Sequence, residues 1–509
     1  MIRFTDARKF RLLEILPGAF VWTTFIVAIT LAFIRPLWVI VFIILFDLYW
    51  LIRIVYFSIF LIASWKRFRR TARVDWEAKL SECPLASELY HLIFLPTVKE
   101  DYAVLRTTLT ALAASRFPKD RLLVIVGGEA RVKDEFLPKA ERLVTEFGDV
   151  FRKVFVTLHE LQSDELAGKS ANLSSMARTV RPQLQKMGIP EDRIIVSSFD
   201  CDTVVHPQYF AHLSYVYCTT PDPERSSYQP MVVYNNNIWA APAALRVAAF
   251  GTTFWLMTEL ARPEFMATFS SHAMPWKMLV DVGYWQKDIV SEDSRIFLQA
   301  FVHYGGAYRV TPLYLPVSMD TVGAQSYGGY LKNLYKQQRR WAWGVENFPY
   351  LVWELRRSKL PGFPKWKKWF MIFRIAEGMY SWATAPVLMF VLGYLPLYLT
   401  AGSVRELAFV QNTPFTLQFL MTLAMVGTVI AMTLATRMLP PRPHAKRRWN
   451  WLVMIAQWVL TPVTFILFGS VPATDAQTRL MLGRGRLGFN VSEKAARSAE
   501  PRVGVYGPA

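Results

Sequence analysis

Ile194-Ile195-Val196-Ser197-Ser198-Phe199-Asp200-Cys201-Asp202 is a β-branched apolar run that breaks on two aspartates one residue apart. It is too short for a helix and is built from strand-favouring residues, so it reads as a buried strand from Ile194 to Ser197. In α/β folds ligands gather beyond the carboxyl ends of strands, which is where Asp200 and Asp202 fall. Two carboxylates at this spacing suit a hard divalent cation that also takes phosphate oxygens. A turn with capping aspartates is the bland alternative.

Working outward, Tyr90 to Leu95, Leu122 to Val126 and Val154 to Thr157 are further short apolar runs, and Tyr102 to Ser115 has helical spacing. Strands alternating with helices from about Leu89 to Ala307 predict a mostly parallel sheet. A more helical stretch follows, from about Pro242 to Pro349. It carries Ser291-Glu292-Asp293 and Gln337-Gln338-Arg339-Arg340-Trp341. An acidic pair can supply a general base, although a solvated acidic helix start has the same sequence. Arg340 offers a planar fork for phosphate oxygens, and Trp341 a flat apolar face.

The 509 residues are 53% hydrophobic and 15% aromatic, yet the formal net charge is +19. That combination points to a membrane protein with basic cytoplasmic faces. Basic residues also serve nucleic-acid binding, but here Lys and Arg cluster beside apolar runs, so no nucleic acid is expected as a partner. The cysteines Cys83, Cys201 and Cys218 have neither metal-ligand nor disulfide spacing. Apolar runs of spanning length extend from about Pro17 to Ile34 and Pro36 to Trp65, and later from Met379 to Leu399, Thr416 to Ala435 and Trp451 to Phe468. Asp47 and Arg53 inside the second cost about 2.5–3.5 kcal/mol each near a bilayer centre, so they should face protein or a polar path. Pro462 and Pro472 could fold the last run back as a re-entrant hairpin. The expected division is residues 1–75, a transmembrane helix pair; 76–355, a cytoplasmic α/β domain; 356–376, an amphipathic interfacial segment; 377–472, transmembrane helices; and 473–509, a basic tail.

Read in order within one α/β domain, the motifs resemble those of membrane-integrated family 2 glycosyltransferases, the group that includes cellulose and hyaluronan synthases. The matching stretch runs from about Ile93 to Trp341. The resemblance implies a Rossmann-like GT-A fold, a Mg²⁺ or Mn²⁺ ion, a nucleotide-sugar donor, a glycan or lipid-linked acceptor and inversion to a β-linkage. It also implies a multi-pass protein of the plasma or inner cell membrane. Pro96-Thr97-Val98-Lys99-Glu100 is similar to the opening nucleotide-binding turn, which makes Thr97 and Glu100 donor-binding candidates; they also suit a capping box. Gly127-Gly128-Glu129 stands where the family has a uridine-holding aspartate, with Glu129 the candidate substitute. Gly168-Lys169-Ser170-Ala171-Asn172-Leu173 resembles the Gly-Lys turn beside the pyrophosphate.

By the same resemblance Asp202 is the expected direct metal ligand, with Asp200 on the ribose or in the metal shell. Asp293 is the expected general base and Glu292 its neighbour in the hydrogen-bond network. Gln337 and Arg340 belong to the donor site and Trp341 to the acceptor. His272 and Trp276 fall where the family shapes its acceptor pocket, but the segment Phe269 to Trp276 lacks the cysteine motif of cellulose synthases. The product is a polysaccharide, or a single sugar placed on a lipid carrier. A nucleotide-binding scaffold or transporter is the non-enzyme alternative, and a general base counts against it.

The positive-inside rule places Lys66 to Arg73 and Arg437 to Arg448 on the cytoplasmic side. Single cysteines at Ser81, Ser403 and Ala445, in a background without the native cysteines, test this with a membrane-impermeant thiol reagent on intact cells. Only the Ser403 position should react; labelling at Ser81 would invert the topology.

Overall fold

The computed structural model describes residues 4–483, apart from 359, 361, 401 and 442–449. The basic positions Arg442, Lys446, Arg447 and Arg448, the test position Ala445, and the tail residues Arg484, Arg486 and Lys494 lie outside the described residues.

Four strands follow the apolar runs: β1 Tyr90–Pro96, β2 Leu122–Glu129, β3 Lys153–His159 and β4 Ile194–Ser198. They pair in parallel in the order β3-β2-β1-β4. Nearly every residue of β1, β2 and β4 is buried, as expected where helices cover both faces. Each Leu, Ile or Phe fully buried this way contributes about 1.5–3 kcal/mol. The remaining strands are β5 Val204–Val205, β6 Ser226–Val233, β7 Ala273–Pro275 and β8 Arg309–Ser318, and the eight-stranded order is β3-β2-β1-β4-β7-β6-β8-β5. The sheet is therefore mixed: β7 is antiparallel to both neighbours, and β5 is antiparallel to β8. β6 and β8 hold Pro230, Pro312 and Pro316, residues that cannot donate to a ladder, and the register slips at Pro230/Met231.

Five helices are long and apolar enough to cross a membrane: Asp6–Ile34, Pro36–Thr71, Lys365–Leu399, Ala408–Arg437 and Leu452–Leu482. Pro36–Thr71 has 36 residues, about 54 Å at about 1.5 Å per residue, longer than the roughly 30 Å of hydrocarbon in a bilayer. Its outer face leaves Trp38, Phe42, Leu45, Ile52 and Ile59 exposed, an apolar surface larger than water-soluble monomers leave open. Asp47 is buried, and Arg53 pairs with Glu377 of the third helix and donates to Tyr49 Oη at 2.9 Å.

Two expected boundaries move. The basic stretch Lys365-Trp366-Lys367-Lys368-Trp369 is continuous with the third long helix and forms its first turn and a half, with Trp366 and Trp369 exposed. The fifth helix does not return as a hairpin, and the proposed tail boundary at residue 473 falls inside it. Pro462 and Pro472 each sit at the start of a helical turn, where a missing N–H costs little, and a π-turn at Ile466–Ser470 takes up the strain. Helix continues to Leu482 and packs against the first helix, where Trp22 Nε1 donates to Thr478 at 2.9 Å.

At the end of β2, a Cβ on Gly128 would lie 2.4 Å from the ring of Phe136, which is itself buried under the sheet. Gly128→Ala should therefore destabilise the protein by about 1–3 kcal/mol through overpacking. A thermal midpoint equal to the parent's in detergent would contradict that packing.

Candidate active site

The parallel half of the sheet delivers its strand ends to one place. Thr97 follows β1, Glu129 ends β2, and Asp200 comes two residues after β4; all three line one cavity of about 1390 Å³. The first turn of the helix Lys169–Lys186 brings Lys169 to the same wall, and the start of the helix Glu292–His303 brings Glu292 and Asp293.

The Lys169 ammonium lies 2.9 Å from Asp200 Oδ1, 3.0 Å from Glu292 Oε1 and 3.2 Å from Asp293 Oδ1. Burial alone would lower the lysine's pKa, but the three carboxylates outweigh it and raise it well above the usual value. Burial pushes Glu292 up to about 7, helped by Asp293 and opposed by Lys169. Asp293 is also raised, by burial and by Asp200 against the pull of Lys169 and Arg340. Burial thus raises the proton affinity of both carboxylates, with Lys169 opposing it.

The supporting contacts come from segments the motifs did not flag. Ser270 Oγ donates to Asp200 Oδ2 at 2.8 Å, and the Thr268 hydroxyl donates to the Asp293 carbonyl. Glu346 Oε1 accepts from Val290 N at 3.1 Å, Ser291 N at 3.0 Å and Ser291 Oγ at 2.7 Å, which sets the turn into Glu292. Arg295 holds the same helix to Asn347 Oδ1 at 2.7 Å and Gln286 Oε1 at 2.6 Å.

Gln337, Arg340 and Trp341 share one face of the helix Tyr327–Ala342 and line the cavity, as spacings of three and four predict. Trp341 stands between Tyr234 and Phe269, with ring centroids 5.9 and 6.0 Å away. Tyr234 was missed; it directly follows β6, a strand the sequence did not reveal. Glu100 also lines the cavity, where its Oε2 accepts from Thr97 Oγ1 at 2.7 Å and Val98 N at 2.7 Å. These bonds close the turn after β1 rather than cap the helix Tyr102–Ala113, whose N-cap is Asp101.

Three of the expected site residues lie off the cavity wall. Asp202 is fully buried and off the cavity wall, and its Oδ2 accepts from the backbone N–H of Asp320 at 2.9 Å. Asp200 takes the cavity-facing place instead, with its side chain 29% exposed. His272 and Trp276 are each 0% exposed and absent from the wall, because β7 carries them between β4 and β6 into the core. His272 Nδ1 faces the Phe269 carbonyl at 2.9 Å, and burial pushes the ring down to about 4, so it is neutral. Phe269 and Ser270 line the cavity in their place.

A family model described as Glycosyl transferase family group 2 matches residues 195–474, more than half of the chain. The chain belongs to this family. Among solved structures, this glycosyltransferase is similar to the mannosyltransferase PcManGT of Pyrobaculum calidifontis, in a complex with GDP-Man and Mn²⁺: 16% identity, TM-score 0.43, covering 76% of this chain and 99% of that one. It is also similar to residues 1–349 of S. aureus TarS with UDP-GlcNAc: 12% identity, TM-score 0.35, covering 70% of this chain and 93% of that one. No curated protein matches it in sequence. The α/β domain of this glycosyltransferase is of the GT-A class, joined to the long apolar helices.

Among the described residues no group of three His, Cys, Asp or Glu side chains is placed to hold a metal. A Mg²⁺-type cation needs only one or two protein carboxylates when phosphates supply the rest. Asp200, hard and facing the cavity, meets that requirement.

Lys169→Met leaves the carboxylates without their cation and so raises their pKa values further. An acid that binds its proton more tightly when folded stabilises the fold at low pH, and this is lost as pH rises through the folded value. The variant's deficit in thermal midpoint should be larger at about pH 8 than at about pH 5, on either side of the Glu292 value of about 7. An equal deficit at both would mean the lysine does not hold these charges.

Proposed function

We propose that this chain is a membrane-embedded inverting glycosyltransferase, moving a sugar from a cytoplasmic nucleotide-sugar donor to a glycan or lipid-linked acceptor. The observation that carries this reading is a single cavity that joins the Lys169–Asp200–Glu292–Asp293 cluster to Arg340 and Trp341. The same cavity continues between the long apolar helices past Arg53, Glu377, Trp382 and Met421. Residues 76–355 hold the donor and the chemistry, and the flanking helices anchor the domain.

Thr97, Glu100 and Glu129 form the nucleoside end. Lys169, Arg340 and Gln337 receive the pyrophosphate, where the planar guanidinium pairs with two oxygens at once. An arriving diphosphate competes with Asp293 for the lysine ammonium, so donor binding frees the base. Asp293 then takes the proton of the acceptor hydroxyl as that oxygen bonds to the anomeric carbon. The bond from this carbon to the diphosphate breaks on the opposite face, and the nucleoside diphosphate leaves with the electron pair. A carboxylate with a raised pKa suits a base acting near neutral pH. Trp341, braced by Tyr234 and Phe269, presents its face to the acceptor sugar. Asp200 would hold a Mg²⁺ or Mn²⁺ ion, which when bound offsets charge on the leaving diphosphate.

The side of the cavity between the long helices suits an acceptor that reaches the site from the membrane, as a lipid carrier or as a chain leaving through it. A purely binding scaffold needs no base beside its diphosphate site.

Nucleoside diphosphate release by the purified protein, assayed across a panel of nucleotide-sugars, tests the reading. Asp293→Asn should lower turnover by about 10²–10⁴-fold without weakening donor binding, since it removes a competitor for the Lys169 ammonium. Turnover near the parent's would remove Asp293 from the role of base.

A further inference from the structure

The fifth long helix, Leu452–Leu482, meets the α/β domain at both of its ends. Just before it, Trp239 Nε1 of the domain donates to the Pro440 carbonyl at 3.0 Å. Near its start Gln457 Oε1 accepts from Arg246 Nε at 2.5 Å, and Trp458 lies 6.4 and 6.3 Å from the rings of Phe250 and Phe254. All three partners belong to the domain helix Ala243–Leu260. Midway, Phe468 packs on Ala241, Leu245, Val322 and Leu334 of the domain. Further on, Asp475 Oδ2 accepts from Arg339 at 2.9 Å and from Tyr335 Oη at 3.1 Å, both on the domain helix Tyr327–Ala342. At the end, Arg11 donates to the Leu480 carbonyl at 2.8 Å. Arg11 belongs to the charged start of the first helix, where Phe10 meets Trp353 of the domain edge-on at 5.7 Å.

From Gln457 to Asp475 the helix advances about 27 Å, at about 1.5 Å per residue. That nearly equals the roughly 30 Å of hydrocarbon in a bilayer. A helix crossing the membrane over this length would leave the domain behind, yet both residues are bonded to domain helices. Its other face is apolar and open: Leu460, Val463, Leu467 and Val471 are exposed at spacings of three and four, and none of them lines the cavity. Gln457, Thr464, Ala473 and Gln477 are buried on the protein side.

We propose that this helix lies along the cytoplasmic face of the bilayer, its stripe from Leu460 to Val471 seated in the inner leaflet. The chain then crosses four times, and its C-terminus lies on the side of the α/β domain. The inference rests on the reading of that domain as cytoplasmic. A helix in this setting sinks its apolar face about 5–10 Å into the boundary between headgroups and acyl chains. Four crossings also put the basic residues that follow Leu482 on the side positive charge favours. Pro462, Phe465 and Phe468 of the same helix line the cavity, so the helix forms the cavity's sill at headgroup depth. Through Asp475 and Arg339 it also sets the height of the helix that carries Arg340 and Trp341.

Single cysteines at Ser81, Ser403 and Ala509, in a background without the native cysteines, give the sidedness with a membrane-impermeant thiol reagent on intact cells. Ser403 alone should react, and Ser81 and Ala509 should join it once the cells are permeabilised. Ser81 and Ala509 on opposite sides of the membrane would mean a fifth crossing and overturn the inference. Both reacting in intact cells would sink the cytoplasmic reading of the domain alone, with the helix still on the domain's side. Depth is read separately, from spin labels on Leu460→Cys, Val463→Cys, Leu467→Cys and Val471→Cys in the full chain. Each variant is reconstituted in phosphatidylethanolamine–phosphatidylglycerol liposomes and relaxed with oxygen or a water-soluble nickel chelate. The four labels should share one shallow depth. In a crossing helix the first and last would differ by about 16 Å, and a steady change of that size would overturn the inference. So would protection of all four from both reagents, since a protein partner or a second copy would then cover the stripe.

Discussion

Lys169 places its ammonium between Asp200, just beyond β4, and the Glu292–Asp293 pair at the start of a later helix. Three carboxylates so close and so buried would repel one another and lose solvation, and none could stay charged without a cation in their midst. The lysine therefore sets the spacing of the whole wall. Ser270, Thr268, Glu346 and Arg295 then hold the backbones that present these charges. Burial raises the proton affinity of both Glu292 and Asp293 while Lys169 opposes it, and a carboxylate made more basic in this way suits a base near neutral pH.

The long helices do more than anchor this domain. Asp475, on the fifth, accepts from Arg339 at 2.9 Å, Tyr335 at 3.1 Å and Arg479 at 2.6 Å. Adjacent arginines of one motif thus face opposite ways: Arg339 is tied to the fifth helix, and Arg340 is turned to the cavity. Near the other edge of the cavity, Glu259 pairs with both Arg262 and Arg374, and Arg262 lies over the rings of Tyr56 and Phe57 at 5.2 and 5.1 Å. Arg53 and Glu377 continue this line of charges between the helices. Charges of this kind persist among apolar helices only when paired, and Arg53, Glu259, Arg374 and Glu377 line the cavity.

Much of the fold was legible because its signals are local. Short β-branched runs alternating with helical spacing marked β1 to β4 within a few residues, and five apolar stretches marked the long helices. The spacing of Gln337, Arg340 and Trp341 put them on one face, and motif order pointed to Lys169, Asp200, Glu292 and Asp293 as one site, which the fold clusters. What failed depended on partners far away. β6 and β8 were not read as strands; both hold prolines, and it is their pairing with each other that makes them a ladder. The helix from Leu452 to Leu482 ran through two prolines because a π-turn and packing against the first helix absorbed them.

By itself, then, the sequence determined which residues carry charge, which segments are apolar enough to be buried, and which side chains share a helix face, since these follow from composition and period. Only the tertiary structure decided which way each one turns. β5 pairs with β8 and draws Asp202 under the Asp320 N–H, 118 positions along the chain, so the cavity is left to Asp200. The insertion of β7 buries His272 and Trp276, and the β2–β3 register sets His159 behind Glu129. Each of these outcomes depends on which strands become neighbours, and a turn's own sequence has no information about its distant partner.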